Sequence, residues 1–426
     1  MEEVIKIKGN KLLKGAVDIS GSKNLCVALL PAALLAQDIV TIHNIPPISD
    51  VYNLIDILEV LNARVIYKDD VLIIDSSNIK YSDLTIETMH KLRASYYFYS
   101  VMLGLFKKLK TYGIGGCRLG SRPIDLHLKA FEELGVIIKS NEDTYEFDGS
   151  KMHQARIVFE KSSVGATINT LLLATQIKGK TIIENAAQEP EITELIKYLK
   201  QMGADIYQSE STIVIDGGKK MHGTEFINIP DRIEAGTYAL IGAAVGDKLK
   251  IRNIVIEHIQ SLLDIFDVLE VNYRIEKNNL IVSKSKIKKG IVILTSPYPG
   301  FPTDLQQPLT TFLSVNKGTS VIIESIYDNR FAHIKELNRM GANIQTTNMN
   351  IIIHGVEELN GTVVSGKDLR GAASLVLAGL MAKGETIVSG LEYINRGYEN
   401  MIKKLKKLHA KIELSLLNIE ENEDEK

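Results

Sequence analysis

Cysteine is scarce in this chain: Cys26 and Cys117 are the only two. With no CxxC and no closely spaced cysteine group, a disulfide framework and a zinc knuckle are both excluded. The nine histidines show no HExxH and no paired spacing, so neither a metal nor a cofactor is called for. Basic residues are not in excess either. A net charge of -2 leaves nothing to neutralise a phosphate backbone, which argues against a general nucleic-acid binder. Long apolar runs are missing as well. Stretches such as Ser374–Met381 fall far short of a bilayer span, and the opening M-E-E-V-I-K-I-K has no apolar signal segment. A soluble, cytoplasmic protein is expected.

Hydrophobic residues make up 45% and charged ones 24% of 426 residues, an ordinary globular composition. The chain is too long for one core, so two or three domains are expected. It also repeats itself. A unit of turn, short strand, polar stretch, helix, Gly/Ala and strand begins at Asp38, Gly179, Gly246, Gly318 and Gly384, and the stretch ending F-E-E-L-G-V-I-I-K supplies the remaining copy. The spacing of about 70 residues is longer than that of the common short solenoids. Six units divide naturally into two domains of three. Their mixture of Val/Ile-rich strands and helices predicts a layered α/β fold.

A second element lies between these, a polar or charged opening followed by an apolar helix. It starts at Gly21, Lys91, Ser163, Arg232, Thr303 and Asp368. Ser, Thr and Asp at these openings suit N-caps. The apolar residues behind them are too continuous for a surface helix and predict burial, with Pro31 and Pro308 as candidate kinks. Helix N-termini offer unpaired N–H groups and a positive dipole end to a phosphate or carboxylate. Lys23, Arg93, Lys161, Arg232 and Arg370 add charge at these starts. The pattern predicts a shared anionic cleft, against the blander reading that these cations balance carboxylates such as Glu234 and Asp368.

The stretch Thr111 to Gly135 concentrates the chemistry. It reads T-Y-G-I-G-G-C-R-L-G-S-R-P-I-D-L-H, with Cys117 among glycines, Arg118 and Arg122 close behind, and Pro123 opening an expected helix. Glycines let a ligand approach the backbone, and neighbouring guanidinium groups favour the thiolate. Cys26, one step inside an apolar helix, is read as core packing.

With these residues laid out, the sequence resembles the enolpyruvyl transferases. The resemblance is carried by I-S-G-S-K-N at Ile19, K-L-R-A-S at Lys91, G-G-C-R-L-G-S-R-P-I-D-L-H at Gly115 and S-V-G-A-T at Ser163. It continues through P-D-R-I-E-A-G-T at Pro230, F-P-T-D-L-Q at Phe301, N-R-F at Asn329, D-L-R at Asp368 and R-G-Y-E at Arg396. It implies two inside-out α/β domains, each of three repeats with buried helices and outer sheets. One would span 22–229 and carry the Gly-Gly-Cys loop; the other would join 1–21 to 230–426. The active site would lie in a cleft that closes on the nucleotide sugar.

Within the family the motifs match the branch that moves the enolpyruvyl group of phosphoenolpyruvate to the 3-hydroxyl of UDP-N-acetylglucosamine, the first committed step of peptidoglycan precursor synthesis. Such addition and elimination needs a base, an acid, and cations for carboxylate and phosphate. The resemblance implies that Cys117 is the mobile-loop thiol alkylated by fosfomycin, Asp304 the base at the sugar hydroxyl, and Lys23 the contact to the phosphoenolpyruvate phosphate. Arg122 and Arg396 would clamp that substrate, with Arg93, Arg330 and Arg370 completing the positive wall. Asn24, Asp304, Pro123, Ile124 and Asp125 would hold the nucleotide sugar, and Lys161, Ser163, Val164 and Gly165 its diphosphate. His127 is read as holding the key loop by hydrogen bonding.

Two positions depart from the family pattern. Asn395 replaces the usual carboxylate beside Arg396, and Gly371 stands where alanine is common. Three alternatives are set aside on residues. The shikimate-3-phosphate enzyme reads Ser-Lys-Ser where this chain has S-K-N and lacks the Gly-Gly-Cys loop. A non-catalytic nucleotide-sugar sensor does not explain Cys117, Asp304 and Lys23 together. A cysteine hydrolase would need a base and orienting histidine pattern beside Cys117.

Overall fold

A computed structural model describes residues 2–85, 93–112, 124–141 and 144–417, the side chains of residues 93, 94 and 112 excepted. The chain divides into two compact units, residues 20–229, and residues 1–19 together with 230–426. Each has its own hydrophobic core.

Six sheets among the described residues share one plan. A strand that follows a buried helix takes a short parallel strand on one side and an antiparallel pair of strands on the other. Gly179–Glu184, for example, pairs in parallel with Arg156–Val158 and antiparallel with Thr212–Gly217, which turns back to Asp205–Ser209. The same order recurs around Ile39–His43, Leu249–Arg252, Thr319–Ile323 and Glu385–Ser389. In the sheet of Lys108–Tyr112 the parallel partner shrinks to a single bridge, from Leu84 to Thr111.

Repetition along the sequence leaves open how the copies close, and the pairing answers it. Glu225–Ile227 crosses back to pair in parallel with Ile39–His43, so the first and last copies of residues 20–229 share a sheet. In the other unit the N-terminus does this work. Ala16–Asp18 pairs with Leu249–Arg252, and Glu2–Lys8 sits between Glu385–Ser389 and Lys411–Leu417.

The helices that follow the polar openings form the interior. From Leu25 to Ala33 every residue is buried, as is every residue from Ile233 to Val245 and from Arg370 to Leu380. Helix Tyr97–Phe106 packs on Lys23–Ala33 and Val164–Ala174; Gln306–Leu313, Leu369–Met381 and Arg232–Val245 pack on one another. A helix apolar on all sides must be enclosed, and strands alternating buried and open residues cover it. This is an α/β fold with helices innermost and sheets outermost.

Ser22, Ser163, Asp231 and Asp368 cap their helices with side-chain oxygens, as their residue types predict. The other two starts differ. Tyr97–Phe106 and Gln306–Leu313 are entered through 3-10 turns, Arg93–Tyr96 and Thr303–Leu305, with no side-chain cap. In the second turn the backbone N–H groups of Leu305 and Gln306 bond to the carbonyls of Pro302 and Thr303, leaving the Asp304 carboxylate for other partners. Pro308 is the third residue of its helix, where no intrahelical N–H is owed, whereas Pro31 lies three residues before Leu34, where the helix gives way to a 3-10 turn. The helix expected behind Pro123, itself outside the described residues, runs Asp125–Glu133. No helix among the described residues is long and apolar enough to cross a membrane.

Candidate active site

In the unit that contains residues 230–426, Asp304 is held by two buried cations. Its Oδ1 accepts from Arg330 Nη2 at 2.8 Å, and its Oδ2 from Arg370 Nη2 at 3.0 Å and Nε at 3.3 Å. The arginine side chains are 5% and 2% exposed, whereas that of Asp304 is 24% exposed. A carboxylate tethered by two buried guanidinium groups and itself partly exposed is oriented without being enclosed. Burial works against the charge on Arg330, but Asp304, Tyr327 and Asp368 outweigh it and raise its pKa. Burial likewise opposes the charge on Arg370, and Tyr398, Asp304 and Asp231 raise it on balance. Both guanidinium groups are therefore fixed charges.

Arg370 owes its place to its helix start. The Asp368 Oδ1 accepts from the backbone N–H of Arg370 at 3.1 Å and of Gly371 at 2.9 Å, while Oδ2 accepts from Gln307 Nε2 at 3.2 Å. The Arg370 guanidinium lies 5.2 Å from the centre of the Tyr398 ring, whose hydroxyl pairs with Thr237 Oγ1 at 2.9 Å. Asp368 is thus an N-cap, and Glu234 pairs with Lys404 Nζ at 2.7 Å. A Cβ on residue 371 would lie 2.8 Å from Asp368 Oδ2. Instead of loosening this start, glycine gives the cap room. Arg396 and the exposed Asn395 follow the short helix Leu391–Ile394, and Arg232 opens its helix 5.9 Å from the centre of the Tyr298 ring.

His333 lies behind this group, buried, with Nδ1 3.4 Å from Gln307 Nε2. Burial pushes its pKa down to about 4; Asp368 opposes that shift and Arg330 adds to it. A base with a depressed folded-state pKa binds fewer protons folded than unfolded. Its contribution to stability is full above the unfolded value near 6.5 and is lost as pH falls towards the folded value. Between about pH 7.5 and about pH 5 the parent should lose on the order of 2 kcal/mol from this residue. Urea midpoints at the two pH values should show that loss in the parent and a smaller one in His333→Gln; equal losses would remove His333 as the cause.

In residues 20–229 the cation is Lys23, first residue of the helix Lys23–Ala33. Its Nζ lies 3.2 Å from Oδ2 of Asp50, whose side chain is wholly buried. A cation at a helix N-terminus opposes the dipole, whereas Asp50 in the first turn of Ser49–Val60 is favourably placed. Asn24 follows, half-buried.

Ser163 caps Val164–Ala174 by accepting from Ala166 N at 3.3 Å, while Lys161 is exposed just before it. Gly165 is required here: a Cβ would meet Tyr96 Oη at 2.7 Å and His127 Cε1 at 2.8 Å. His127 packs edge-on to Tyr96, and its Nδ1 lies 3.0 Å from Asn169 Nδ2. His127 therefore joins Asp125–Glu133 to the Ser163–Gly165 start. Ile124 is buried and Asp125 exposed at that helix's beginning. Cys117, Arg122 and Pro123 lie outside the described residues, as does the Arg93 side chain. Cys26 is fully buried, its sulfur 3.2 Å from Asn228 Nδ2.

Sequence reasoning missed Asp50, Thr303, Glu324 and Tyr398. The signal for Asp50 was its place at a second helix start. Tyr398 stands in the R-G-Y-E motif itself. Thr303 stands in the F-P-T-D-L-Q motif, read there only as a helix opening, and Glu324 carries no local signal, because its pairing with Thr303 spans 21 residues. Among the described residues no group of three or more His, Cys, Asp or Glu is placed to hold a metal ion.

The family model described as EPSP synthase (3-phosphoshikimate 1-carboxyvinyltransferase) matches residues 7–405. UDP-N-acetylglucosamine 1-carboxyvinyltransferase 2 of Streptococcus pyogenes is 46% identical over 417 residues, 97% of this chain and 99% of the relative. The corresponding enzyme 1 of Streptococcus agalactiae is 44% identical over 418 residues, again 97% and 99% of the two chains. The enolpyruvyl transferase NikO from Streptomyces tendae superposes with a TM-score of 0.89, at 23% identity, over 98% of this chain and 100% of its own. EPSP synthase from Acinetobacter baumannii gives 0.76 at 18% identity, over 98% and 100%. The two solved structures speak for the fold.

Proposed function

The chain belongs to the UDP-N-acetylglucosamine 1-carboxyvinyltransferases of the EPSP synthase family, and from that premise we propose how its residues divide the reaction. The enzyme transfers the enolpyruvyl group of phosphoenolpyruvate to the 3-hydroxyl of UDP-N-acetylglucosamine and releases phosphate. Asp304 is the base that takes the proton of the sugar hydroxyl. The observation that carries this reading is the partly exposed carboxylate fixed by the buried Arg330 and Arg370. A general base must be aimed at the proton it removes, and opposed guanidinium forks supply the aim.

Lys23, Arg93, Arg122 and Arg396 bind phosphoenolpyruvate, and Arg330 and Arg370 add fixed positive charge where phosphate and carboxylate accumulate negative charge. Asn24, the 123–125 segment, Lys161 and the Ser163–Gly165 start hold the nucleotide sugar, the last through backbone N–H groups suited to a diphosphate oxygen. Residues 22–229 act as the domain of the Gly-Gly-Cys loop, and residues 1–21 with 230–426 as the second domain. The cytoplasm is the proposed location, since both substrates carry charges that do not cross a bilayer. Phosphate release from phosphoenolpyruvate should depend on UDP-N-acetylglucosamine, with the sugar product gaining an enolpyruvyl mass. Binding of the nucleotide sugar without release would favour a sensor and make Asn395 the first residue to restore.

Cys117 is proposed as the loop thiol. Because Cys26 is sealed in a core, fosfomycin should label Cys117 alone, and faster when the nucleotide sugar is present. Peptide mapping that finds the adduct on Cys26 would reject this assignment.

A further inference from the structure

We propose that Thr303 and Glu324 form a polar relay that sets Arg330 against Asp304, making both of them positioning residues for turnover. Glu324 follows the strand Thr319–Ile323 and is wholly buried. Its Oε1 accepts from Thr295 Oγ1 at 2.9 Å, from Ile326 N at 3.0 Å and from Tyr327 N at 3.4 Å. Its Oε2 accepts from Thr303 Oγ1 at 2.8 Å. Among the described residues no lysine, arginine or histidine forms an ion pair with it. Burying a carboxylate without a direct counter-charge is costly, so what distinguishes this residue is its hydrogen-bond polarity.

A carboxylate has acceptors and no donor. Thr303 must then donate its one hydroxyl hydrogen to Glu324, and the lone pairs of that oxygen turn to Arg330, whose Nη1 donates to it at 2.9 Å. The other end of the same guanidinium, Nη2, reaches Asp304 Oδ1 at 2.8 Å. Because the guanidinium is planar and rigid, fixing Nη1 fixes Nη2. The Tyr327 ring, its centre 5.0 Å from the guanidinium carbon, closes a further side. Tyr327 is itself placed by its backbone bond to Glu324. Glu324 thus holds Arg330 through the hydroxyl beside Asp304 and through the ring over its face. Both routes end on the carboxylate whose direction matters.

The inference rests on the reading of Asp304 as base, and the experiment separates the two. Thr303→Val keeps the shape and removes the hydroxyl, whereas Thr303→Ser keeps the hydroxyl. Steady-state phosphate release should show kcat at least about tenfold lower in Thr303→Val and within about twofold of the parent in Thr303→Ser. The Kd for UDP-N-acetylglucosamine should stay within about threefold in both, a split that general loosening would not produce. Glu324→Gln should behave like Thr303→Val, because in either orientation its amide points N–H at a group that donates. It carries the test should Thr303→Val fail to fold. Asp304→Asn is the control. If that variant turns over like the parent, the base reading fails. If it is inactive while Thr303→Val and Thr303→Ser match each other, or while Glu324→Gln matches the parent, the relay is overturned.

Discussion

Asp304→Asn should lower kcat by about a hundredfold or more, the range a positioned general base contributes, while nucleotide-sugar affinity changes by less than about tenfold. The asparagine fills the same space and keeps one oxygen. It cannot accept from both guanidinium groups that now bond Asp304, and its amide nitrogen turns a donor towards one of them. The proton acceptor and the aiming device are lost together, so a second effect follows. Asp304→Ala should cost about 3 kcal/mol of stability, towards the low end for breaking a buried ion pair because Asp304 itself is partly open. Phosphate-release kinetics and urea midpoints measure the two effects separately. Parent-like kcat in the asparagine variant would reject the base, and a parent-like midpoint in the alanine variant would reject the structural role of the pairs.

The two kinds of residue in this centre differ in how far the sequence announces them. The helix starts can be read directly: Ser22, Ser163, Asp231 and Asp368 precede apolar runs, and each caps its helix. A cap is local, set by residues three apart. The burial of the helices behind them follows from their apolar continuity, and the α/β layering from the alternation of strands and helices. The crossing strands could not be read this way. Nothing in Glu2–Lys8 names Glu385–Ser389 and Lys411–Leu417 as its neighbours, because a strand's pattern fixes which face is buried and leaves its partner open.

The ion pairs show the same limit. A row of basic residues at helix starts suggested either an anionic ligand or nearby carboxylates as their counterpart. Lys23 finds Asp50 across two helices, and Arg370 finds Asp304 across two repeats. Meanwhile Glu234 and Asp368, the nearest carboxylates in sequence, are occupied by Lys404 and by backbone N–H groups. Sequence distance does not name the Lys23 and Arg370 partners, because helices packed on each other bring together starts that are far apart along the chain.

The Lys23 pair offers the sharpest separation of stability from chemistry. Lys23→Met should lower kcat/KM for phosphoenolpyruvate by about a thousandfold, on the proposal that this ammonium meets the substrate's phosphate where charge develops. The same change deprives the buried Asp50 carboxylate of its lysine, and the protein should lose about 3 kcal/mol. Taken alone, the loss of activity could be blamed on the loss of stability. Asp50→Leu added to Lys23→Met replaces the whole pair with apolar side chains. Such replacements are often neutral or stabilising, since neither partner is left as a buried charge. The double variant should therefore recover the urea midpoint to within about 1 kcal/mol of the parent and remain as inactive as the single one. Recovery of turnover along with stability would mean that Lys23 only supports the fold. Recovery of stability alone would assign the ammonium to the substrate, with Asp50 as the group that keeps a cation at a helix start the dipole disfavours.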